Sequence, residues 1–491
     1  MKTSDVSGSL DPEDWNRTRE QAHHMLDDIL SYIENISKQP VWQPAPQEVR
    51  AKFKTPLPNS PTPLWALHEE FRENILPYTV GNVHPGFMGW VHGGGNVPGM
   101  LGEMLAAGLN ANCGGRDQVP LEVERQITHW MRDLFKFPDT ASGLFVTGTS
   151  MANLLAVLIA SRTRLGTHVR EHGLCASGSK LRGYTSCAAH GCIRQAFDLC
   201  GLGTASLREI KTDANHRLRI DELKYWIAQD RREGLTPFIT IGTAGTVDVG
   251  AIDALDSIAS LCRAEDMWFH VDGAYGALGA LSKTIAPLLE GMSQADSIAF
   301  DFHKWGQVPY DAGFLLVRNV EQQLSTFSAP AAYLNRETDG LAAGSPWPCD
   351  LGPDLSRGFR ALKTWFTLKS YGSERLGAMI DKSCALAWLM QQRIAREPEL
   401  ELLAAVQLNI VCFRFRSENP DPLNRQIVID VQNSGLAVPS STMIDGNFAI
   451  RAAIVNHRTQ SADVHRLIDA VLERGRHYAR ETLSGKPTLL A

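Results

Sequence analysis

The feature that most constrains this chain is an alternation of short apolar runs with helix-like segments between residues 143 and 317. Strand-like runs fall at 143–146, 183–185, 237–241, 267–271, 297–300 and 314–317, with helical spacing over 152–163, 190–199, 220–229 and 252–263. Successive parallel strands need long crossovers. The pattern therefore predicts an α/β fold with a mostly parallel central sheet and helices on both faces. In such sheets ligands lie beyond the carboxyl ends of the strands. The residues just after each run are the ones to inspect.

The flanks read differently. Asp11-Pro12-Glu13-Asp14 predicts a helix start with Asp11 as N-cap, and Trp15, Met25, Ile29, Ile33 and Ile36 follow near helical spacing. A proline-rich connector covers 40–63. Such an arm has little of its own to bury and is expected to pack on a neighbouring surface, a second subunit among the options. After the Gly93-Gly94-Gly95 turn, helices are predicted over 100–109 and 121–135. Residues 327–355 are rich in Ala, Gly, Pro and Ser, which suits a functional lid. A helical run over 360–376 leads to expected strands at 408–415 and 426–431, then to an amphipathic helix from Val464 with Leu467, Ile468, Val471 and Leu472 on one side. The expected division is an arm over 1–84, a large domain over 85–365 and a small α/β domain over 366–491.

Composition narrows the function classes. The 491 residues are 44% hydrophobic and 21% charged, ordinary for a globular protein, and the net charge of −6 argues against a nucleic-acid or anionic-membrane partner. The longest apolar run, 154–160, is too short to span a bilayer, and the N-terminus lacks an apolar signal core. Nine cysteines, an odd number, suggest reduced thiols and a cytoplasmic location.

Post-strand residues then converge on one chemistry. Phe300-Asp301-Phe302-His303-Lys304-Trp305 places one lysine among aromatic neighbours between two strand-like runs. A lysine that loses hydration there can attack a carbonyl and form a Schiff base; the bland reading is a packed stem with a solvated head. Val146-Thr147-Gly148-Thr149-Ser150 lies between strand and helix, where free N–H groups and the Thr149 and Ser150 hydroxyls suit either a phosphate or a simple helix cap. His190 follows another run and could stack on a flat ring, while Gly242-Thr243-Ala244-Gly245 offers small residues that admit a ligand. Asp272 ends an apolar strand, where a carboxylate either caps a turn or needs a cationic partner. Pyridoxal 5'-phosphate uses all of these: an aldehyde for Lys304, a pyridine nitrogen for Asp272, a ring face for His190 and a phosphate for Thr149 and Ser150. Two other readings use the same stretch. Gly148-Thr149-Ser150-Met151-Ala152 approximates a serine-hydrolase elbow with Asp272 and His303 as partners. Cys187, His190 and Cys192 resemble part of a metal site.

Taken with Asn82-Val83-His84-Pro85-Gly86-Phe87, His270-Val271-Asp272-Gly273-Ala274-Tyr275, His303-Lys304-Trp305 and Arg357-Gly358-Phe359-Arg360, the chain resembles the group II pyridoxal-phosphate-dependent amino acid decarboxylases, the aromatic amino acid enzymes among them. The resemblance runs over nearly the whole chain. It implies fold type I, an obligate homodimer and an amino acid substrate. By the same resemblance, Lys304 is the Schiff-base lysine and His303 its usual neighbour. Asp272 is the pyridinium partner, Ala274 packs under the ring, His190 stacks on it and Thr243 lies near the phenolic oxygen. Trp90, Val91 and His92 fall where the family lines its substrate pocket, and Asp301 stands where aromatic amino acid decarboxylases usually carry Asn. The family's lid tyrosine, which protonates Cα, counts back from Arg357 to near Trp347 and Pro348, neither of which can donate as a phenol does. That leaves Tyr333, the lid's one tyrosine, or His190 as donor, or else a reaction that releases an aldehyde.

Overall fold

The structure, a computed structural model, describes residues 9–174, 180–328 and 336–483. The arm consists of α1 (Trp15–Glu34), α2 (Gln47–Lys52) and α3 (Leu64–Asn74). Asp14, rather than the expected Asp11, caps α1, because its Oδ1 reaches the N–H groups of Asn16 and Arg17, each at 3.0 Å. No residue of α1 is buried within the single chain. The strand β1 (Phe87–Met88) and the helices α4 (Val97–Leu109) and α5 (Val119–Phe135) follow.

The alternating block forms β2 (Ser142–Val146), α6 (Thr149–Leu165), α7 (Val169–His172), β3 (Leu181–Ser186), α8 (Cys192–Leu199), β4 (Leu207–Ile210), α9 (Ile220–Arg232), β5 (Thr236–Thr243), α10 (Leu255–Ala264), β6 (Trp268–Asp272), β7 (Ser297–Asp301) and β8 (Gly313–Val317). The strands make one seven-stranded sheet in the order β2-β8-β7-β6-β5-β3-β4, parallel except for β8, which runs antiparallel to both neighbours. The six predicted strands are present, and β4 is an addition. Its four residues carry too little alternation to stand out. Beneath the sheet's site edge, Phe145, Phe300, Phe302 and Phe314 interlock with ring centroids 5.0–5.7 Å apart.

After α11 (Val320–Phe327) the chain reaches α12 (Arg360–Arg396), which breaks at Gly372, where φ is 70°. Then come β9 (Leu400–Leu402), β10 (Ile410–Phe415), α13 (Pro420–Asn433), β11 (Val438–Ile444), β12 (Asn447–Ala453) and α14 (Ser461–Leu483). The expected strand at 426–431 is therefore wrong. Its β-branched residues belong to α13, where Leu423, Ile427, Val428 and Val431 share a buried face packed on β11 and β12. Tertiary packing overrides β-propensity there. The small sheet has the order β1-β11-β12-β10-β9, so β1, within the expected large domain, hydrogen-bonds to the smaller sheet. Within the expected lid, Tyr333 lies outside the described residues. Trp347 is 1% exposed and stands between the guanidinium groups of Arg116 and Arg336, at 4.6 and 3.5 Å. Among the described residues no helix is long and apolar enough to cross a membrane.

Candidate active site

Sheet order explains how distant residues meet. β7, β6, β5 and β3 are parallel neighbours, so Asp301, Asp272, Thr243 and the turn carrying His190 leave one edge side by side. β2 reaches the same edge because both it and β7 run antiparallel to β8, where Gly313 faces Val146 on one side and Asp301 on the other. The N-terminus of α6 then starts beside Asp301, whose Oδ1 accepts the Thr149 N–H at 2.7 Å.

These residues line one cavity of about 380 Å³. It brings together Lys304, His303, Asp301, Asp272, Ala274, Thr243, His190, Thr149, Ser150, Trp90, Val91 and His92, which is every sequence-predicted site residue except Tyr333. Tyr310, Tyr275, Cys192 and Val247 also line it and were missed. Tyr310 carried one signal, its place on the lysine's own loop ahead of β8. The segment holding Trp90–His92 approaches the lysine loop through Gly93, whose N–H donates to the His303 carbonyl at 3.2 Å. A Cβ at residue 93 would lie 2.3 Å from that oxygen. Buried Gln307 braces the loop by donating to the Lys304 carbonyl at 3.1 Å and to the Val455 carbonyl at 2.9 Å.

Electrostatically the cavity has a cationic centre between two acids. Lys304 Nζ lies 3.1 Å from Asp301 Oδ2. Asp272 is 2% exposed and has no ion pair within bonding range among the described residues; its Oδ1 accepts the Ala274 N–H at 3.2 Å. Burial pushes the Asp272 carboxyl up, with Lys304, the Ala274 N–H and His190 pulling it back. His303 is lowered first by burial, against the pull of Asp301. Its Nδ1 accepts the Ala312 N–H at 3.0 Å. Beneath the site, His270 is held down to about 3 by burial, with Asn153 and Ser297 at 2.8 Å on its two nitrogens.

Comparison with known proteins bears on the whole chain. The sequence model of the pyridoxal-dependent decarboxylase conserved domain matches residues 46–416. The chain belongs to the pyridoxal-dependent decarboxylase family. The chain is 30% identical to an aromatic-L-amino-acid decarboxylase of Bacillus atrophaeus, over 91% of this chain and 93% of that one. It is 28% identical to a phenylacetaldehyde synthase of Arabidopsis thaliana, over 91% and 93% of the two chains. Among solved structures it resembles the glutamate decarboxylase domain of diaminobutyrate-pyruvate transaminase and L-2,4-diaminobutyrate decarboxylase from Vibrio parahaemolyticus, at 28% identity and a TM-score of 0.84, covering 94% of this chain and 96% of that one. The fold is accordingly the type I fold of pyridoxal-phosphate enzymes, and the protein is a pyridoxal-phosphate-dependent carboxy-lyase of that family.

The cavity of this decarboxylase-family chain fits the cofactor on its own evidence. The hydroxyls of Thr149 and Thr243 are buried and have no partner among the described residues, which a phosphate and a ring oxygen would supply. Asp272 is a buried carboxylate that wants a cation, which a protonated ring nitrogen provides. The hydrolase reading fails here: His303 Nδ1 is taken by the Ala312 N–H, and its Nε2 faces Asp301 at 3.6 Å rather than Ser150. Cys187, His190 and Cys192 form no group able to hold a metal among the described residues, and the Cys192 thiol instead accepts from Asn153 Nδ2 at 3.3 Å.

Proposed function

We propose that this enzyme decarboxylates an aromatic L-amino acid to the amine and CO2, with Lys304 as the residue that binds the cofactor covalently. The reading rests on one observation, the convergence of Lys304, Asp272, His190, Thr149 and Thr243 on a single cavity. When bound, pyridoxal phosphate supplies an electron-accepting ring conjugated to the substrate nitrogen. The α6 N-terminus, Thr149 and Ser150 hold the phosphate. Asp272 would keep a proton on the ring nitrogen, Thr243 would bond the ring oxygen, and His190 and Ala274 would pack against the ring. Lys304 Nζ is the amine that would hold the cofactor covalently, and whose place the substrate amine would take. His303 and Asp301 hold that amine in position. Trp90, Val91 and His92 would orient the substrate side chain and, through it, the Cα–carboxylate bond. His190 Nε2 or the Tyr333 hydroxyl then delivers a proton to Cα.

A second reading takes support from Trp347, which stands near where the family's lid phenol is counted and is buried away from the cavity. If no proton reaches Cα, O2 accepts the electrons. One amino acid, one O2 and one water then give aldehyde, CO2, ammonia and H2O2. The similarity to a phenylacetaldehyde synthase supports considering it. A homodimer is supported by apolar side chains left open on α3 and α4, Trp65, Leu67, Met104, Leu105 and Leu109 among them. A cytoplasmic location is supported by eight unpaired cysteines among the described residues.

The test is an absorbance spectrum of purified protein before and after borohydride, beside Lys304→Ala. A visible band reduced by borohydride and missing from the variant supports Lys304. A panel of amino acids scored for CO2, amine and aldehyde decides between the two reactions. Absence of a band after adding pyridoxal phosphate overturns the reading.

A further inference from the structure

A chain of buried hydrogen bonds runs beneath the cavity toward Asp272, and its two ends fix the direction of every proton along it. Asn153, His270 and Ser297 are each 0% exposed. Trp268 Nε1 donates to Ser297 Oγ at 2.8 Å, His270 Nδ1 lies 2.8 Å from the same oxygen, and His270 Nε2 lies 2.8 Å from Asn153 Oδ1. An indole N–H can only donate. Ser297 Oγ accepts it and has its own hydrogen to give, and among the described residues His270 Nδ1 is the acceptor in reach. Burial holds His270 neutral. A neutral ring whose Nδ1 accepts carries its one hydrogen on Nε2. That hydrogen goes to Asn153 Oδ1, which turns the Asn153 NH2 group away from His270.

The amide then has two hydrogens left for acceptors. One goes to Cys192 Sγ at 3.3 Å. The other bears on Asp272. Burial pushes that carboxyl up, and a hydrogen bond from the Asn153 side chain is among the contacts that pull it back, after Lys304, the Ala274 N–H and His190. An ionised carboxylate only accepts, so the chain is as directional at this end as at the indole. Reversed, the amide would set its NH2 against the His270 N–H and its oxygen against the carboxylate, two repulsive contacts where burial makes them costly. Position adds to polarity. Asn153 lies about one turn along α6 from Thr149, and His270 lies two residues before Asp272 on β6. The bond between them ties the helix that offers its N-terminus to a phosphate to the strand that offers its carboxylate to a ring nitrogen. Neither residue lines the cavity itself.

We propose that Asn153 is a positioning residue, oriented by the Trp268–Ser297–His270 chain, that holds Asp272 as a carboxylate aimed at the cofactor's ring nitrogen. The inference rests on the cofactor assignment above and adds Asn153 and its chain to it.

The test is a double-variant cycle of Asn153→Leu, Asp272→Asn and the two together. It is read by pyridoxal phosphate affinity, from absorbance titration, and by urea midpoints of the cofactor-free proteins. Leucine keeps the volume of the amide and removes its hydrogen bonds. Asn153→Leu should lower cofactor affinity about tenfold in the wild-type background and less than about twofold in the Asp272→Asn background. Without cofactor, Asp272→Asn should raise the midpoint more in the Asn153→Leu background than in wild type, because the buried charge has then lost a donor. Ser297→Ala breaks the chain at its far end with the loss of one oxygen. It should couple to Asp272→Asn in the same sense, by about two- to threefold in affinity, and it carries the test if Asn153→Leu does not fold. A role in packing alone predicts equal losses in both backgrounds, so affinities and midpoints that are additive across the cycle overturn the proposal. If wild type takes up no pyridoxal phosphate, the cofactor assignment fails. The midpoints then judge the chain by themselves: a coupled cycle supports its hold on Asp272, and an additive one overturns it.

Discussion

Replacing Asp272 by asparagine separates what the site costs the fold from what it does for the cofactor. The carboxylate is 2% exposed, and burial favours its neutral form, offset only in part by Lys304 and the Ala274 N–H. A carboxyl raised on folding holds its proton more tightly in the folded state. Its contribution to stability is therefore neutral below the unfolded value and turns unfavourable as pH rises through the carboxylate range to the folded value. At pH 7 the cofactor-free protein bears the penalty. Asparagine keeps an Oδ1 acceptor for the Ala274 N–H and removes the charge. Cofactor-free Asp272→Asn is expected to exceed wild type by about 1–3 kcal/mol at pH 7, with the gain gone below about pH 4. Adding cofactor works in the opposite direction. The contact to the ring nitrogen is charge-assisted and contributes about 1.5–3 kcal/mol, so affinity falls about 10- to 100-fold. At a cofactor concentration about 100 times the wild-type Kd, stabilisation of about 2.7 kcal/mol drops to about 0.4–1.4 kcal/mol. Urea unfolding of both proteins, with and without pyridoxal phosphate, reads both signs. The reasoning is refuted if the cofactor-free variant is the less stable protein, or if cofactor stabilises the two equally.

Three further outcomes are expected. Arg357 is 4% exposed and forks onto Glu124 at 2.7 and 3.1 Å while donating to the Cys113 and Phe145 carbonyls. Arg357→Met should cost about 3–5 kcal/mol, and the double variant with Glu124→Gln less than the sum; a single loss under about 1 kcal/mol by urea unfolding would contradict this. His270, held down to about 3, stays neutral in the fold while the unfolded chain takes up protons. Wild-type stability should thus fall below about pH 6.5, by about 2 kcal/mol at pH 5, and His270→Asn should flatten that portion of the urea-midpoint profile. Gly93→Ala sets a Cβ 2.3 Å from the His303 carbonyl oxygen and 2.6 Å from that of Lys304. It should lower kcat/KM about 100-fold by parting the two loops, and unchanged kinetics would show that the approach does not matter.

What the sequence displayed and what it hid divide along physical lines. The parallel strands of the large sheet are buried on both faces, so β5, β6 and β7 read as apolar runs with a polar residue at the end, Thr243, Asp272 and Asp301, and that residue was the site. β4 and the α13 segment failed for the opposite reason. β4 is an edge strand of mixed burial, and Gln426–Val431 alternates like a strand yet turns Ile427, Val428 and Val431 onto β11 and β12 and leaves Ile429 exposed. The hairpin of those strands had a visible turn, Asp445-Gly446, both left-handed at φ 47° and 79°. Its strands were passed over because Ser440, Ser441 and Thr442 break the apolar run. Tyr310 was hidden by spacing. Beyond its place on the lysine's own loop, nothing local marks it as lining a cavity, and that place shows only in the structure, where Lys363 on α12 grips its carbonyl.

The small sheet's place in the chemistry follows from where its polar side chains end. Arg451 on β12 is 3% exposed and has no carboxylate partner among the described residues. Its guanidinium donates to the Val247 carbonyl at 2.5 Å and the Ser440 hydroxyl at 3.0 Å. Val247 lines the cavity. Asn456 donates to the carbonyls of Asn82, Val83 and His84, and Arg458 to those of Gly94 and Gly95, so both ends of the Trp90–His92 segment are tied to the same short stretch. Gln307 adds a tie from the lysine loop to Val455. Arginine without a counterion is costly to bury, so its retention here points to geometry rather than stability. The residues that face the substrate are thus fixed by a stretch more than a hundred residues further along the chain, after β12. A substitution such as Arg451→Met should therefore loosen substrate contacts before it loosens the fold, raising KM several-fold at an unchanged urea midpoint. A fall in the midpoint with KM unchanged would assign Arg451 to the core alone.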